Sequence, residues 1–110
     1  MTNAIIATTP AGLYCREGDF YIDPRLPVER AVITHAHADH VRWGCQSYLC
    51  ARDSRSLLRA RLGPYDRIQD LAYGETLKIN SVELSLHPAG HILGSAQVRI
   101  ERDGQVVVVS

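Results

Sequence analysis

The stretch that most constrains this chain is RAVITHAHADH, residues 30–40, in which a β-branched, apolar run leads directly into three histidines and an aspartate. The first part has the length and composition of a buried strand. Because the whole chain has five histidines, packing alone explains poorly why three of them stand here. The pattern predicts a strand that delivers a polar cluster to its carboxyl end, where α/β folds commonly place their chemistry.

The sequence around the cluster predicts short strands alternating with helices. Strands are expected at AIIATT, DFYID and SYLCA, and TPAGLYCREG between the first two is expected to form turns. The segment ADHVRWGC is interpreted as the start of a short helix. A second helix is predicted at DSRSLLRARLG, with Asp53 or Ser54 as its cap and Gly63 at its end.

From residue 68 onward the pattern changes to strands, at RIQDLAYG, ETLKINSVELSLHPAG and AQVRIERDGQVVVVS. Within the last of these, Asp103-Gly104 has the residues of a tight hairpin turn. Alternating strands and helices followed by strands predict an α/β fold. At 110 residues, the chain has room for one domain at most.

Composition narrows the function classes. The formal net charge is zero, so binding to a polyanion would need a local basic patch. No run approaches the roughly 20 apolar residues of a membrane span, which predicts no membrane association and a cytoplasmic location. Cys15, Cys45 and Cys50 form no C-x-x-C pair and are expected to be buried free thiols rather than a disulfide framework or zinc ribbon.

The histidine cluster has the ligand types of a metal site, because imidazole nitrogen and carboxylate oxygen bind zinc and similar divalent ions. His35 and His37, two apart at an extended strand end, project to one side and can grip one ion. Asp39 and His40 point elsewhere and suit a second ion. Two ions about 3.5 to 4 Å apart can activate a water and stabilise a leaving oxygen in phosphodiester hydrolysis. The spacing therefore predicts a binuclear site.

A further ligand is expected in HPAGHILGSAQ, residues 87–97. The preferred candidate is His91, because the glycines around it let the backbone fold closely around a site. His87, at the end of a strand, is expected to be a structural histidine or one that supports a metal ligand without binding the metal itself. Asp23 could accept a hydrogen bond from a metal-bound histidine and fix its tautomer, or it could simply start the turn before Pro24.

At these residues the chain resembles a known family. THAHADH resembles the H-x-H-x-D-H signature of the metallo-β-lactamase superfamily, and HPAGHILGSAQ looks like its β-CASP branch of nucleic-acid-processing nucleases. GLYCREGDFYIDP with RAVITHAHADH is most similar to bacterial DNA ligase-associated exonucleases, often labelled mRNA 3′-end processing factors. The resemblance covers residues 12–110. It implies a four-layer αβ/βα sandwich and the hydrolysis of a phosphodiester. It also implies two metal ions, with zinc as the preferred metal and manganese as the alternative.

The resemblance also implies roles for individual side chains. Asp23 would be the aspartate of the first motif, which orients a ligand. Asp39 would help to position the bridging hydroxide, so that Asp39, His40 and Asp23 are the catalytic candidates. Five side chains would hold the two ions: His35, His37 and His91 the first, Asp39 and His40 the second.

The chain also departs from the family pattern. A further aspartate that bridges both metals is expected after VVVVS, followed by the β-CASP insertion and later histidines, and none of these is present. Residues 1–110 are therefore expected to be the N-terminal portion, about half, of a metallo-β-lactamase domain. Alone, this portion is expected to hydrolyse nothing.

The leading hypothesis is a DNA exonuclease that acts in repair with a DNA ligase and a helicase. Three alternatives stay open: an RNA 3′-end processing nuclease, a thioester or lactam hydrolase of the same superfamily, and a non-catalytic metal-binding module. Six arginines between residues 42 and 67 could touch phosphates, although a solvated helix face explains them better. Trp43 could stack on a base, although a core position is more usual.

Overall fold

The computed structural model describes residues 4–34, 41–63, 67–89 and 95–109. Six strands form the first sheet: β1 Ile6–Thr9, β2 Gly12–Cys15, β3 Phe20–Ile22, β4 Arg30–Val32, β5 Ser47–Ala51 and β6 Ile68–Leu71. Four form the second: β7 Thr76–Ile79, β8 Val82–Pro88, β9 Ala96–Arg102 and β10 Gln105–Val109. Helix α1, Arg55–Leu62, follows a 3₁₀ turn at Arg52–Ser54. No helix in these four segments is long and apolar enough to cross a membrane.

The first sheet follows the order of the chain, from β1 to β6. Its strands β1, β2 and β3 pair antiparallel, whereas β3, β4, β5 and β6 pair parallel. Parallel strands have their carboxyl ends at one edge of the sheet. The segments that follow β3 and β4 therefore leave the sheet side by side, which places Asp23 next to the residues that precede the histidine cluster.

The second sheet is antiparallel, in the order β10-β9-β8-β7. The turn between β9 and β10 is the predicted Asp103-Gly104 pair, with φ of 50° and 82°. Left-handed backbone at both central residues is what a tight hairpin turn needs. The predicted hairpin is confirmed.

Two apolar clusters arrange these elements in three layers. Side chains of β3, β4 and β5, such as Phe20, Val32 and Leu49, pack against those of β8 and β9, such as Leu84 and Val98, between the two sheets. The opposite face of the first sheet packs against helix α1 through a second cluster: Ala31, Ile33, Cys45, Tyr48, Cys50, Leu58, Leu62 and Ile68. Strands β4 and β5 are thus apolar on both faces, as expected for buried parallel strands.

The predicted α/β class is confirmed, and the described residues form one helix layer and two sheet layers. Strand β5 and the end of α1 at Gly63, where φ is 76°, match the predictions. All three cysteines are buried and free, as predicted. Burial raises the pKa of the Cys50 thiol to about 12.

Two local predictions are wrong. Residues 12–15, expected in a turn, form β2. Gly12 lies in this strand with φ of 130°, and a Cβ there would stand 3.3 Å from Cα of Pro24, so its glycine serves a close backbone approach. Residues 41–45, expected in a helix, contain no helical turn and instead form a turn with Gly44 at φ of 88°.

The layered core yields a paired stability prediction. Val82 on β8 is fully buried, whereas Val108 on β10 is 55% exposed. Val82→Ala should lower the free energy of unfolding by about 2 to 3 kcal/mol, because two buried methyl groups are lost and a cavity remains. Val108→Ala should change it by no more than about 0.5 kcal/mol. Urea denaturation measures both, and equal losses would contradict the assigned packing.

Candidate functional site

Asp23 ties the end of β3 to the end of β4. One of its carboxylate oxygens, Oδ1, accepts the backbone N–H of Thr34 at 2.9 Å, and Oδ2 accepts the Thr34 hydroxyl at 2.6 Å. The backbone N–H of Asp23 donates to the carbonyl of Val32 at 2.9 Å. Thr34 is 4% exposed, so these bonds are shielded from water. Together they fix the residue that immediately precedes His35.

The same threonine joins the two sheets. The Thr34 carbonyl accepts the backbone N–H of Ala96 at 2.7 Å. Ala96 is the first residue of β9 and is the register partner of Pro88 at the end of β8. Next to this pair, the N–H of Ala89 donates to the carbonyl of Ser95 at 3.1 Å. Both histidine-bearing stretches of the sequence therefore start from one hydrogen-bonded junction.

The predicted metal ligands themselves lie outside the described residues: His35, His37, Asp39, His40 and His91. Residues 35–40 follow Thr34 directly, and residues 90–94 lie between Ala89 and Ser95, so the residues flanking both stretches are described. Within the described part of the chain, no three or more His, Cys, Asp or Glu side chains group together in a way that could hold a metal. The ligand assignments stay predictions.

Asp23 is the one predicted site residue that lies within the described part of the chain. Asp23 lies directly after β3, beside the residue that precedes His35. This position agrees with the role that the resemblance implies for it. The described bonds of its carboxylate hold the Thr34 backbone and hydroxyl, so Asp23 positions the strand end. That Asp23 also orients a metal-bound histidine stays a prediction.

His87 lies within β8 and is half-buried. The Nε2 atom of its ring is 2.9 Å from the Ser85 hydroxyl, and its register partner across the sheet is Gln97. A ring nitrogen held by a neighbour on the same strand supports the predicted structural role.

Two hydroxyl residues at the junction, Thr34 and Ser95, are not predicted as site residues from the sequence. The available signal for Thr34 is its place as a hydroxyl residue between β4 and the first histidine. Ser95 is 3% exposed, and among the described residues its hydroxyl has no hydrogen-bond partner. Its carbonyl accepts the Tyr73 hydroxyl at 3.0 Å. Buried hydroxyls normally find polar partners, so the junction is a polar setting that suits histidine and carboxylate ligands.

Trp43, expected more often in a core, is 60% exposed, so the core interpretation is wrong. The buried side chain of Tyr48 holds the turn that carries Trp43. The Tyr48 hydroxyl donates to the carbonyl of Arg42 and accepts the N–H of Cys45 at 3.1 Å. Trp43 therefore stands on a fixed turn, three residues after His40 in the chain.

Two of the arginines after the cluster make ion pairs instead of forming a free basic patch. The carboxylate of Asp70 on β6 accepts hydrogen bonds from Nε of Arg52 at 3.0 Å and from Nη1 of Arg55 at 2.7 Å. These two hydrogen bonds lower the pKa of the Asp70 carboxyl. Arg59, on α1, is exposed to solvent. The solvated helix face is thus the better interpretation of this part of the arginine surplus.

The chain is similar in sequence to a probable DNA ligase and to a ribonuclease. It is 36% identical over 91 residues to a probable DNA ligase of Opitutus terrae, which covers 82% of this chain and 9% of that protein. It is 30% identical over 117 residues to a ribonuclease of Thermus thermophilus, which covers 83% of this chain and 27% of that protein. The chain thus spans less than a third of either relative. No family model matches.

Solved structures define the fold. A B3 metallo-β-lactamase with an active-site glutamic acid superimposes with a TM-score of 0.62 at 18% identity, covering 94% of this chain and 53% of that one. CmlA, a diiron β-hydroxylase from Streptomyces venezuelae, gives a TM-score of 0.67 at 18% identity over 94% of this chain and 28% of that one. The chain has the metallo-β-lactamase fold, as the resemblance of its motifs implies.

The Asp23 interaction predicts a stability loss that a matched aspartate can calibrate. Asp23 and Asp103 both have left-handed backbone, with φ of 46° and 50°, so alanine at either position is strained. Asp103→Ala should cost about 1 kcal/mol from that strain alone. Asp23→Ala should cost about 2 to 4 kcal/mol, because the buried Thr34 donors also lose their acceptor. Chemical denaturation measures both, and equal costs would show that the carboxylate does not secure the strand end.

Proposed function

We propose that this chain is part of a metal-dependent nuclease that hydrolyses phosphodiester bonds, most specifically a DNA exonuclease. The observation that carries the proposal is the hydrogen bond from the N–H of Ala96 to the carbonyl of Thr34. It brings the residue before the H-x-H-x-D-H stretch and the end of the HPAGHILGSAQ stretch to one point at the edge of two packed sheets. Two ligand-rich stretches anchored at one point suit a shared metal site.

The proposed metal ligands divide between the two stretches. His35 and His37 with His91 would hold one divalent ion, and Asp39 with His40 the other. Zinc is the proposed ion and manganese the alternative, because imidazole and carboxylate suit both. When bound, such ions activate a water and stabilise the leaving oxygen.

The described residues contribute positioning. Asp23 and Thr34 fix the end of β4, so that the first histidine starts from a rigid strand. The junction with Ala96 fixes where the second stretch leaves β8 and returns to β9. Rigid strand ends hold ligands more accurately than free loops do. Asp39 is proposed to position the attacking water as well as to bind metal.

The similarity to a probable DNA ligase and to a ribonuclease supports a nucleic-acid substrate. DNA is preferred because the motif resemblance is to ligase-associated exonucleases, which also makes a DNA ligase and a helicase the proposed partners. RNA 3′-end processing is the second candidate, supported by the ribonuclease relative. We also propose that residues 1–110 form the N-terminal portion of the catalytic domain, because the chain covers 53% of a whole metallo-β-lactamase.

A cleavage assay on the full-length protein tests the proposal. End-labelled single-stranded DNA and RNA of one sequence are incubated with protein and Zn²⁺ or Mn²⁺, and products are separated by length. We expect DNA to shorten progressively from one end. Asp39→Ala should lower the rate by about 100-fold or more, because it removes a metal ligand that also orients the water. Asp103→Ala, in the distant hairpin, should retain the rate.

Three results would overturn parts of the proposal. Internal cuts in RNA alone would move the protein to transcript processing. Cleavage of neither polymer, with hydrolysis of a thioester or lactam, would replace the nuclease by a small-molecule hydrolase. Full activity of Asp39→Ala would contradict the proposed catalytic role of the H-x-H-x-D-H motif.

A further inference from the structure

Two large apolar side chains, Leu26 and Trp43, stand exposed on neighbouring turns. Leu26 is 51% exposed and Trp43 is 60% exposed. Exposed tryptophan is uncommon, because this side chain has much apolar area to bury. The other large exposed apolar side chains among the described residues are Val106 and Val108 of β10, in the second sheet.

Backbone contacts make one surface of these two turns. The N–H of Gln46 donates to the carbonyl of Val28 at 3.1 Å, and the N–H of Val28 approaches Sγ of Cys45 at 3.5 Å. A Cβ on Gly44 would lie 3.4 Å from Cβ of Pro27. Residues 27–28 therefore lie beside residues 44–46, and we call the adjoining residues 25–27 and 42–44 the Trp43 surface.

The Trp43 surface is fixed in shape. Tyr48, 3% exposed, bonds to the backbone of Arg42 and of Cys45 on either side of Trp43. Gly44 supplies the left-handed backbone, at φ of 88°, that closes the turn. A binding element fixed before its ligand arrives loses less conformational freedom on binding.

The charged side chains of the Trp43 surface are all positive. Arg25 and Arg42 are exposed, and residues 24–28 and 41–46, PRLPV and VRWGCQ, contain no aspartate or glutamate. Flat aromatic area with guanidinium groups close by in the chain fits a ligand with planar rings and phosphates. Bases stack on exposed aromatic rings, and arginine binds backbone phosphate.

We propose that the Trp43 surface binds single-stranded nucleic acid, with Trp43 stacking on an unpaired base and Arg25 and Arg42 contacting phosphates. The proposal deepens the proposed function, since it names the strandedness of the substrate and the residues that hold it. Stacking on a base needs a base free of its duplex partner. Trp43 follows the H-x-H-x-D-H motif by three residues in the chain.

Binding is measured without cleavage. Labelled single-stranded DNA, single-stranded RNA and duplex DNA are titrated with the chain in EDTA, and fluorescence anisotropy gives each Kd. Trp43 is the single tryptophan of the chain, so its own emission reports stacking. We expect quenching by both single strands, weaker binding to the duplex, and for Trp43→Ala a Kd about tenfold higher.

Three variants sharpen the test. Trp43→Phe keeps an aromatic face and should retain most of the affinity. Arg42→Gln should reduce the salt dependence of binding by about one phosphate contact. Val108→Ala removes exposed apolar area from the distant strand β10 and should bind like the unaltered chain.

The proposal is overturned if no single strand binds, if Trp43→Ala binds as well as the unaltered chain, or if the duplex binds best. Capture of a peptide with no affinity for either single strand would assign the Trp43 surface to a protein partner. The two proposals fail separately. Binding through Trp43 with no cleavage would sink only the nuclease, whereas cleavage unaffected by Trp43→Ala would sink only the Trp43 surface.

Discussion

The hydrogen bond between the Ala96 amide and the Thr34 carbonyl, 2.7 Å long, is the contact on which the rest of the candidate site depends. Apolar packing holds the two sheets together, but the hydrophobic effect has no direction and cannot by itself fix one strand end against another. A backbone hydrogen bond has a direction and a length. This bond therefore sets where β4 and β9 meet, and the two histidine-bearing stretches leave from that meeting point.

Asp23 makes this junction rigid from the first sheet. Its two carboxylate oxygens receive the amide and the hydroxyl of Thr34, and hydrogen bonds to a charged acceptor are stronger than neutral ones. The left-handed backbone of Asp23 turns the chain directly after β3. The Asp23 side chain thus links the end of β3 to the strand end before His35.

Local sequence signals were sufficient for some elements. Strand β5, the end of α1 at Gly63 and the Asp103-Gly104 hairpin each follow from short-range rules of burial, capping and turn chemistry. Strand β2 was missed because glycines that serve close backbone approach, such as Gly12, look like turn residues in sequence. The helix expected at residues 41–45 fails because the bonds from Tyr48 and the glycine at position 44 hold a turn there.

The candidate site shows the same division. The motifs predict the ligand-rich stretches and the metallo-β-lactamase fold, because their residue types and spacing are specific. They could not identify Thr34 and Ala96, which belong to different sheets and are far apart in the chain, nor Tyr48, whose hydroxyl acts three residues or more away. Likewise, the exposure of Trp43 depends on the turn beneath it and not on its neighbours in sequence.

The most direct test of this account is zinc binding by two histidine variants, measured by isothermal titration calorimetry. His87 lies near the end of β8 and His91 follows it four residues later in the chain, but only His91 is assigned to the metal. We predict that His91→Ala weakens zinc binding by about 100-fold or more, since a direct ligand matters more than its outer partners, and that His87→Ala leaves zinc binding nearly unchanged. Equal weakening by both variants, or weakening by His87→Ala alone, would contradict a metal site assembled at the Thr34–Ala96 junction.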